Sequence, residues 1–374
     1  MLVPFNRPTS CGNELKMMKD CIYSERLSGG GEYASLCSKN ISKRLGVKSP
    51  VFMTASCTQS LEASCIILGL KPGDEVIMPS FTFVTTATSF AIRGIRIKFV
   101  DIRPDTLNID ENKIESAITD KTKAIVAVHY AGVACEMDKI LHIASKHNLA
   151  VIEDAAQCMV AYYKGRHLGS IGDMSAFSFH DTKNIHCGEG GALVVNNPKL
   201  EDISRIVVNK GTNRSEFLSG NVSKYTWVGL GSSYSMGELT SSYLLAQLAN
   251  AKKITKKRLR SWNAYYKNLK NLDIDLPEIP TECSHNAHIF HIRLQDKNER
   301  ARLMEFLSNS GIESCFHFVP LHSSPAGMVY GEFVGDDVYT TKESERLLRL
   351  PLYDSISIEQ VNYVCEKIKE YYEA

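Results

Sequence analysis

From about residue 50 to residue 200, short apolar runs rich in valine and isoleucine alternate with stretches whose apolar residues recur at helical spacing. Val51–Thr54, Glu75–Met78, Ile97–Val100, Ala124–Val128, Ala150–Ile152 and Ser175–Phe179 are the expected strands. They read as near-continuous apolar runs, as strands buried on both faces do. Between them, 60–68, 84–92, 111–118 and 137–147 are expected helices, and Lys71-Pro72-Gly73-Asp74 reads as a helix stop followed by a turn. Repeated strand–helix–strand units of this kind build a mostly parallel sheet covered by helices on both sides.

After Gly237 the pattern changes. A long helical stretch is expected from Glu238 to about Leu269, with Lys and Arg dense between Lys252 and Arg260 on what reads as a solvated face. Beyond Asn286 a strand (289–294), a helix (298–308), a second strand (313–318) and a final amphipathic helix (358–371) predict a smaller α+β domain. The expected division is a large α/β domain over 1–250 and a small C-terminal domain over 251–374, with no linker long enough to make them independent.

Composition narrows the picture. With 374 residues, 44% of them hydrophobic, the chain is an ordinary globular protein of enzyme size. Lys and Arg total 43 against 42 for Asp and Glu, so no bulk field draws it to nucleic acid or to a membrane surface, and an anionic ligand must be held by local geometry. Eleven cysteines with no CxxC pair, together with a start lacking a basic segment followed by an apolar core, predict reduced thiols in the cytoplasm. No apolar run approaches the roughly 20 residues needed to span a bilayer. Cys283, His285, His288 and His291 suggest a metal site, but side chains alternate faces along a strand and converge poorly on one ion, so none is expected.

In open α/β sheets ligands sit beyond the carboxyl ends of the strands, and four polar segments fall there. Ser56-Cys57-Thr58 stands between a strand and a helix, where hydroxyls and free N–H groups either cap the helix or cradle an anion. Glu153-Asp154-Ala155-Ala156-Gln157 brings an acid out of a strand, to start a helix or to face a ligand. Ser178-Phe179-His180-Asp181-Thr182-Lys183 precedes the turn Gly188-Glu189-Gly190-Gly191 and leaves Lys183 at the sheet edge, as a surface lysine or a nucleophile. Phe83, in Pro79-Ser80-Phe81-Thr82-Phe83, either packs in the core or lies flat against a heterocycle.

The order of these segments, with Pro4-Phe5-Asn6, Ser28-Gly29-Gly30-Gly31, Pro320-Leu321-His322 and Glu343-Ser344-Glu345, resembles the DegT/StrS family of sugar aminotransferases along almost the whole chain. That resemblance implies the fold-type I aminotransferase architecture and pyridoxal 5′-phosphate as cofactor. It implies that Lys183 holds the cofactor covalently, that Asp154 meets its pyridine nitrogen, and that Gln157 touches the ring or its phenolic oxygen. Phe83 would stack on the opposite face, and Ser56, Cys57, Thr58 and Ser178 would bind the phosphate. The family often carries Gly-x-Asn-Tyr-Arg, whose Asn reaches the phosphate of the neighbouring subunit; here the run is Gly231-Ser232-Ser233-Tyr234-Ser235, with the shorter Ser233 in that place.

Shared active sites in a homodimer follow from the same resemblance, as does L-glutamate as amino donor. The stretches 129–138, 210–215 and 340–351 resemble members acting at C4 of a dTDP-linked 4-keto-6-deoxyglucose. Gly30, Asn213, Arg214, Lys224, Tyr225, His317 and His322 are the candidate contacts to this nucleotide sugar, with Lys210 a further cation for its diphosphate.

Overall fold

The computed structural model describes residues 1–373. Its centre is an eight-stranded sheet, in the order Val51–Thr54, Gly191–Val195, Met174–Ser178, Ala150–Asp154, Thr122–Val128, Glu75–Pro79, Arg96–Val100 and Gly331–Phe333. All neighbours from Met174–Ser178 to Gly331–Phe333 run parallel. Gly191–Val195 is antiparallel to both of its neighbours, so Val51–Thr54 points the same way as the parallel strands. Six strands expected from the valine- and isoleucine-rich runs form within two residues of the expected ends.

One consequence positions everything that follows. The ends of Val51–Thr54, Glu75–Pro79, Thr122–Val128, Ala150–Asp154 and Met174–Ser178 lie on one edge of the sheet, and each expected polar segment leaves from that edge. The helices between strands start and stop as local chemistry dictates. Ser56 caps helix Cys57–Ile67, its hydroxyl accepting the Gln59 N–H at 3.2 Å. Asn148 closes helix Met137–His147 in the left-handed conformation (φ 58°). Two apolar clusters, one on each sheet face, bury the strands: Ile77, Ile125 and Val194 contribute to one, Val76, Val126 and Val195 to the other.

The second half differs from expectation in three places. The helical stretch from Glu238 is two helices, Glu238–Ala249 and Ala251–Leu269, broken at Asn250, whose ψ of 3° leaves the helical range. The expected strand 313–318 does not form. Strand Phe290–Arg293 pairs antiparallel with Leu347–Leu350 instead, and Cys315 alone exchanges backbone hydrogen bonds with Arg349, at 3.2 and 2.7 Å. The chain then bends away toward Pro320, which has no N–H to offer a ladder. Finally, Gly331–Phe333 leaves the C-terminal part and joins the edge of the main sheet beside Arg96–Val100, while Val3 packs into the C-terminal cluster of Trp262, Phe290, Leu303 and Ile368. The proposed boundary at 250/251 falls at the helix break, but strands and core cross it.

Candidate active site

A cavity of about 520 Å³ opens at the carboxyl edge of the main sheet. Its lining brings together Ser56, Cys57, Thr58, Phe83, Asp154, Gln157, Ser178, Lys183 and His317. These are eight of the nine expected cofactor residues and one expected substrate residue, from segments more than 250 positions apart.

The floor is set by Asp154 at the end of its strand. It is buried, Thr86 Oγ1 donates to its Oδ2 at 2.8 Å, and the Ala156 N–H donates to Oδ1 at 3.2 Å. Thr82 Oγ1 in turn meets Thr86 Oγ1 at 2.9 Å. Burial pushes the Asp154 carboxyl above the usual carboxylate range, against the pull of these hydrogen bonds and of Lys183. A cation brought against this carboxyl would oppose the shift and favour its charged form.

Lys183 lines the same cavity. Its segment turns tightly, with the Lys183 N–H on the His180 carbonyl at 2.9 Å, and carries the side chain to the cavity wall. It is partly buried rather than a free surface lysine. Burial lowers its pKa, with Cys57 and Asp154 acting in the opposite sense. A lysine so placed has a larger neutral, nucleophilic fraction than one in water.

The expected phosphate cradle is a turn of backbone at a helix start. Ser56, Cys57 and Thr58 start the helix beside strand Gly191–Val195, and a Cβ at Gly191 would fall 2.5 Å from the Cys57 nitrogen. Only glycine lets these two segments approach, and the free N–H groups of a helix start face an anion well. Ser178 lies at the neighbouring strand end, its Oγ within 3.4 Å of the His180 N–H.

Gln157 Oε1 accepts the Ala131 N–H at 2.6 Å, so the amide nitrogen is the part it can offer to a ligand. Phe83 is 57% exposed and stands beside Phe318, ring centroids 6.3 Å apart, as a side chain awaiting a cover. Beside Asp154, His129 Nδ1 accepts the Cys135 N–H at 3.1 Å, so its proton sits on Nε2, 3.0 Å from Glu153 Oε2. Glu153 also accepts the N–H groups of Gly169, Ile171 and Gly172 at 2.6 to 2.7 Å. His129 has both nitrogens engaged within the protein and forms part of the cavity wall.

Other expected contacts lie elsewhere. His322 is outside the cavity: its Nδ1 meets Ser80 Oγ at 2.8 Å and its Nε2 pairs with Asp337 at 3.2 Å, which accounts for both nitrogens. His317 does line the cavity, its Nδ1 3.1 Å from the Tyr130 hydroxyl. Ser233, Asn213, Arg214, Lys224 and Tyr225 belong to the 209–235 segment and do not line this chain's cavity. Gly30 is exposed and does not line it either; its glycine run wraps Glu238, whose carboxylate accepts the N–H groups of Gly31, Tyr33 and Ala34 at 2.7 to 3.1 Å.

The sequence reading also missed several wall residues. Thr86, His288, Arg258 and Arg349 line the cavity. Arg258 is 3% exposed, donates to the carbonyls of Ala287 and His288, and is pulled down to about 9 by burial. It stands inside the run expected to be a solvated face. Ile254, Arg258 and Trp262 recur every fourth residue on the buried side of helix Ala251–Leu269, which is the signal that would have revealed it.

The DegT/DnrJ/EryC1/StrS aminotransferase family profile matches residues 9–369. The chain belongs to this family. It is similar to GDP-perosamine synthase of Escherichia coli O157:H7, 31% identical with 99% of this chain and 98% of that one covered. It is also similar to the spore coat polysaccharide biosynthesis protein SpsC of Bacillus subtilis, 32% identical with 98% and 96% covered. The PLP form of the sugar aminotransferase Spr1654 from Streptococcus pneumoniae superposes with a TM-score of 0.91, at 25% identity over 100% of this chain and 99% of that one. The protein is therefore a pyridoxal-phosphate-dependent sugar aminotransferase with the fold-type I architecture, and the site fits the cofactor: an amine, a buried carboxyl and a backbone cradle closed by Gly191 share one cavity. No described helix is long and apolar enough to cross a membrane.

Proposed function

We propose that the chain moves the amino group of L-glutamate to C4 of dTDP-4-keto-6-deoxy-D-glucose, giving dTDP-4-amino-4,6-dideoxygalactose, as a cytoplasmic homodimer with shared active sites. The observation that carries the transamination chemistry is the convergence of Lys183, Asp154, Gln157 and the Ser56–Thr58 turn on one cavity. The sugar assignment rests on the resemblance of 129–138, 210–215 and 340–351 to C4-acting members.

When bound, pyridoxal phosphate supplies a protonated ring that withdraws electrons from the carbon losing its proton. The chain's own residues do the rest. Lys183 would hold the cofactor and, once freed by the donor's amine, would move the proton that leaves the donor's α-carbon, a role its lowered pKa suits. Asp154, fixed by Thr86, would hold the ring nitrogen in its protonated form. Gln157 would offer its amide to the ring's oxygen, and Phe83 would pack against the ring.

The dimer reading has its own support. The 209–235 segment, which holds Asn213, Arg214, Lys224, Tyr225 and Ser233 away from this chain's cavity, also exposes Leu218, Trp227 and Leu230, the indole at 74%. Apolar side chains bared beside polar candidates suit a face covered by a second copy. All eleven cysteines are unpaired, which is compatible with a reducing compartment.

A second reading comes from the relative named as a GDP-perosamine synthase, which favours amination of a GDP-linked keto sugar by the same residues. The test is incubation with L-glutamate and a panel of dTDP-, UDP- and GDP-linked 3-keto and 4-keto sugars, with products resolved by mass spectrometry and NMR. The expected product is the dTDP-linked 4-amino sugar with an axial nitrogen; turnover confined to GDP sugars or to C3 would reject the assignment.

A further inference from the structure

One stretch of the cavity wall has no hydrogen-bonded ladder of its own. His317 and Phe318 line the cavity from the run 316–320, between Cys315 and Leu321. Among the described residues, none of the N–H groups of Phe316, His317, Phe318 and Val319 donates to a backbone carbonyl, and Pro320 has none to give. A run without backbone pairing stands where its anchors put it. One anchor is the backbone exchange between Cys315 and Arg349, and another is Ser344 Oγ, which donates to the Phe318 carbonyl. The far end is tied by His322.

That tie reaches the main sheet twice. Ser80 follows strand Glu75–Pro79 and is fully buried. Its carbonyl accepts the Leu321 N–H at 3.0 Å; its Oγ accepts the His322 N–H at 3.0 Å and lies 2.8 Å from His322 Nδ1. His322 Nε2 lies 3.2 Å from Asp337 Oδ2. A ring nitrogen against a carboxylate carries the proton, so Nε2 donates to Asp337 and Nδ1 accepts the Ser80 hydroxyl. Burial holds the pKa of this ring below the ordinary histidine value, against the pull of Asp337 and Asp101, so the imidazole is neutral at neutral pH. Asp337 is fixed in turn: its Oδ1 accepts the Thr341 N–H at 3.0 Å, and the N–H groups of Val338, Tyr339 and Thr340 end on Asp101, which follows Arg96–Val100. His322 therefore stands between the carboxyl ends of two adjacent parallel strands. The segment leaving Ser80 carries Thr82 and Phe83 to the cavity, and the rings of Phe81 and Phe83 lie 5.5 and 6.3 Å from that of Phe318. We infer that His322 is a positioning residue: by bridging Ser80 and Asp337 it clamps the 316–320 wall against the 80–83 wall, and so sets where His317 and Phe318 meet the incoming nucleotide sugar. The inference rests on the proposed function for the identity of that ligand.

The experiment compares wild-type holoenzyme with His322→Ala, His322→Asn, Ser80→Ala and the double variant His322→Ala with Ser80→Ala. His322→Ala is expected to raise the half-saturating nucleotide-sugar concentration of the aminated enzyme ~10-fold, while the glutamate half-reaction stays within about 2-fold of wild type. His322→Asn, whose amide oxygen can take the place of Nδ1 and accept the Ser80 hydroxyl, is expected to recover part of the loss. Ser80→Ala breaks the same link, so the double variant should be no worse than the more affected single one. In parallel, hydrogen exchange at the Leu321 amide should be ~10-fold faster in His322→Ala. Wild-type half-saturation and exchange in His322→Ala would overturn the inference, as would equal losses in both half-reactions or additive effects of the two substitutions. Should His322→Ala fail to fold, Ser80→Ala and His322→Asn carry the same comparison. Wild-type enzyme that turns over no keto sugar would instead refute the proposed function, and exchange at Leu321 would still decide the clamp.

Discussion

Asp154 is held by two hydrogen bonds, from Thr86 and from the Ala156 N–H, and faces a cavity in which burial alone raises its pKa. A cation against it, such as the cofactor's ring nitrogen, would favour its charged form. Asp154→Asn keeps the shape and loses the charge. The expected outcome is retained cofactor binding with the glutamate half-reaction slowed on the order of 100-fold or more, read as the rate of the absorbance change; a near-normal rate would place the electron demand elsewhere. At this scale the sequence was legible where short motifs bring residues to one cavity, as at Asp154, Gln157 and Lys183. It was not legible for Arg258 and Arg349, because nothing in a run of basic residues, or in an alternating strand, tells which one is turned inward until the packing face is known.

At the scale of elements, the site depends on a glycine. Gly191 opens its strand opposite Thr54, and the space a Cβ would take is held by the Ser56–Cys57 backbone. Gly191→Ala must push that turn outward, at an expected cost of about 1–3 kcal/mol, and the displaced N–H groups should weaken cofactor binding ~10-fold or more, measured as the holo fraction against added cofactor. Unchanged affinity with the substitution in place would remove the backbone cradle from the account. The strands of the main sheet were readable because burial on both faces writes a continuous apolar run. Residues 313–318 carry the alternation of a strand, but Leu347–Leu350 pairs with Phe290–Arg293 in their stead. Alternation specifies a half-buried extended segment; which segment takes the available ladder is decided by long-range packing.

Across the whole molecule, the two halves of the chain are joined through shared structure. Gly331–Phe333 extends the main sheet, Val3 packs in the C-terminal cluster, and the cavity takes Lys183 and Asp154 from one half and Arg258, His288, His317 and Arg349 from the other. A linear division at residue 250 describes the helix break but not these crossings, which no local pattern records. The central claim is that this junction holds pyridoxal phosphate on Lys183. Borohydride reduction of the holoprotein fixes the attachment, and proteolysis with mass mapping locates it. The account predicts the phosphopyridoxyl mass on the peptide containing Lys183 and on no other; a label on a different lysine, or none on a protein that binds the cofactor, would contradict it.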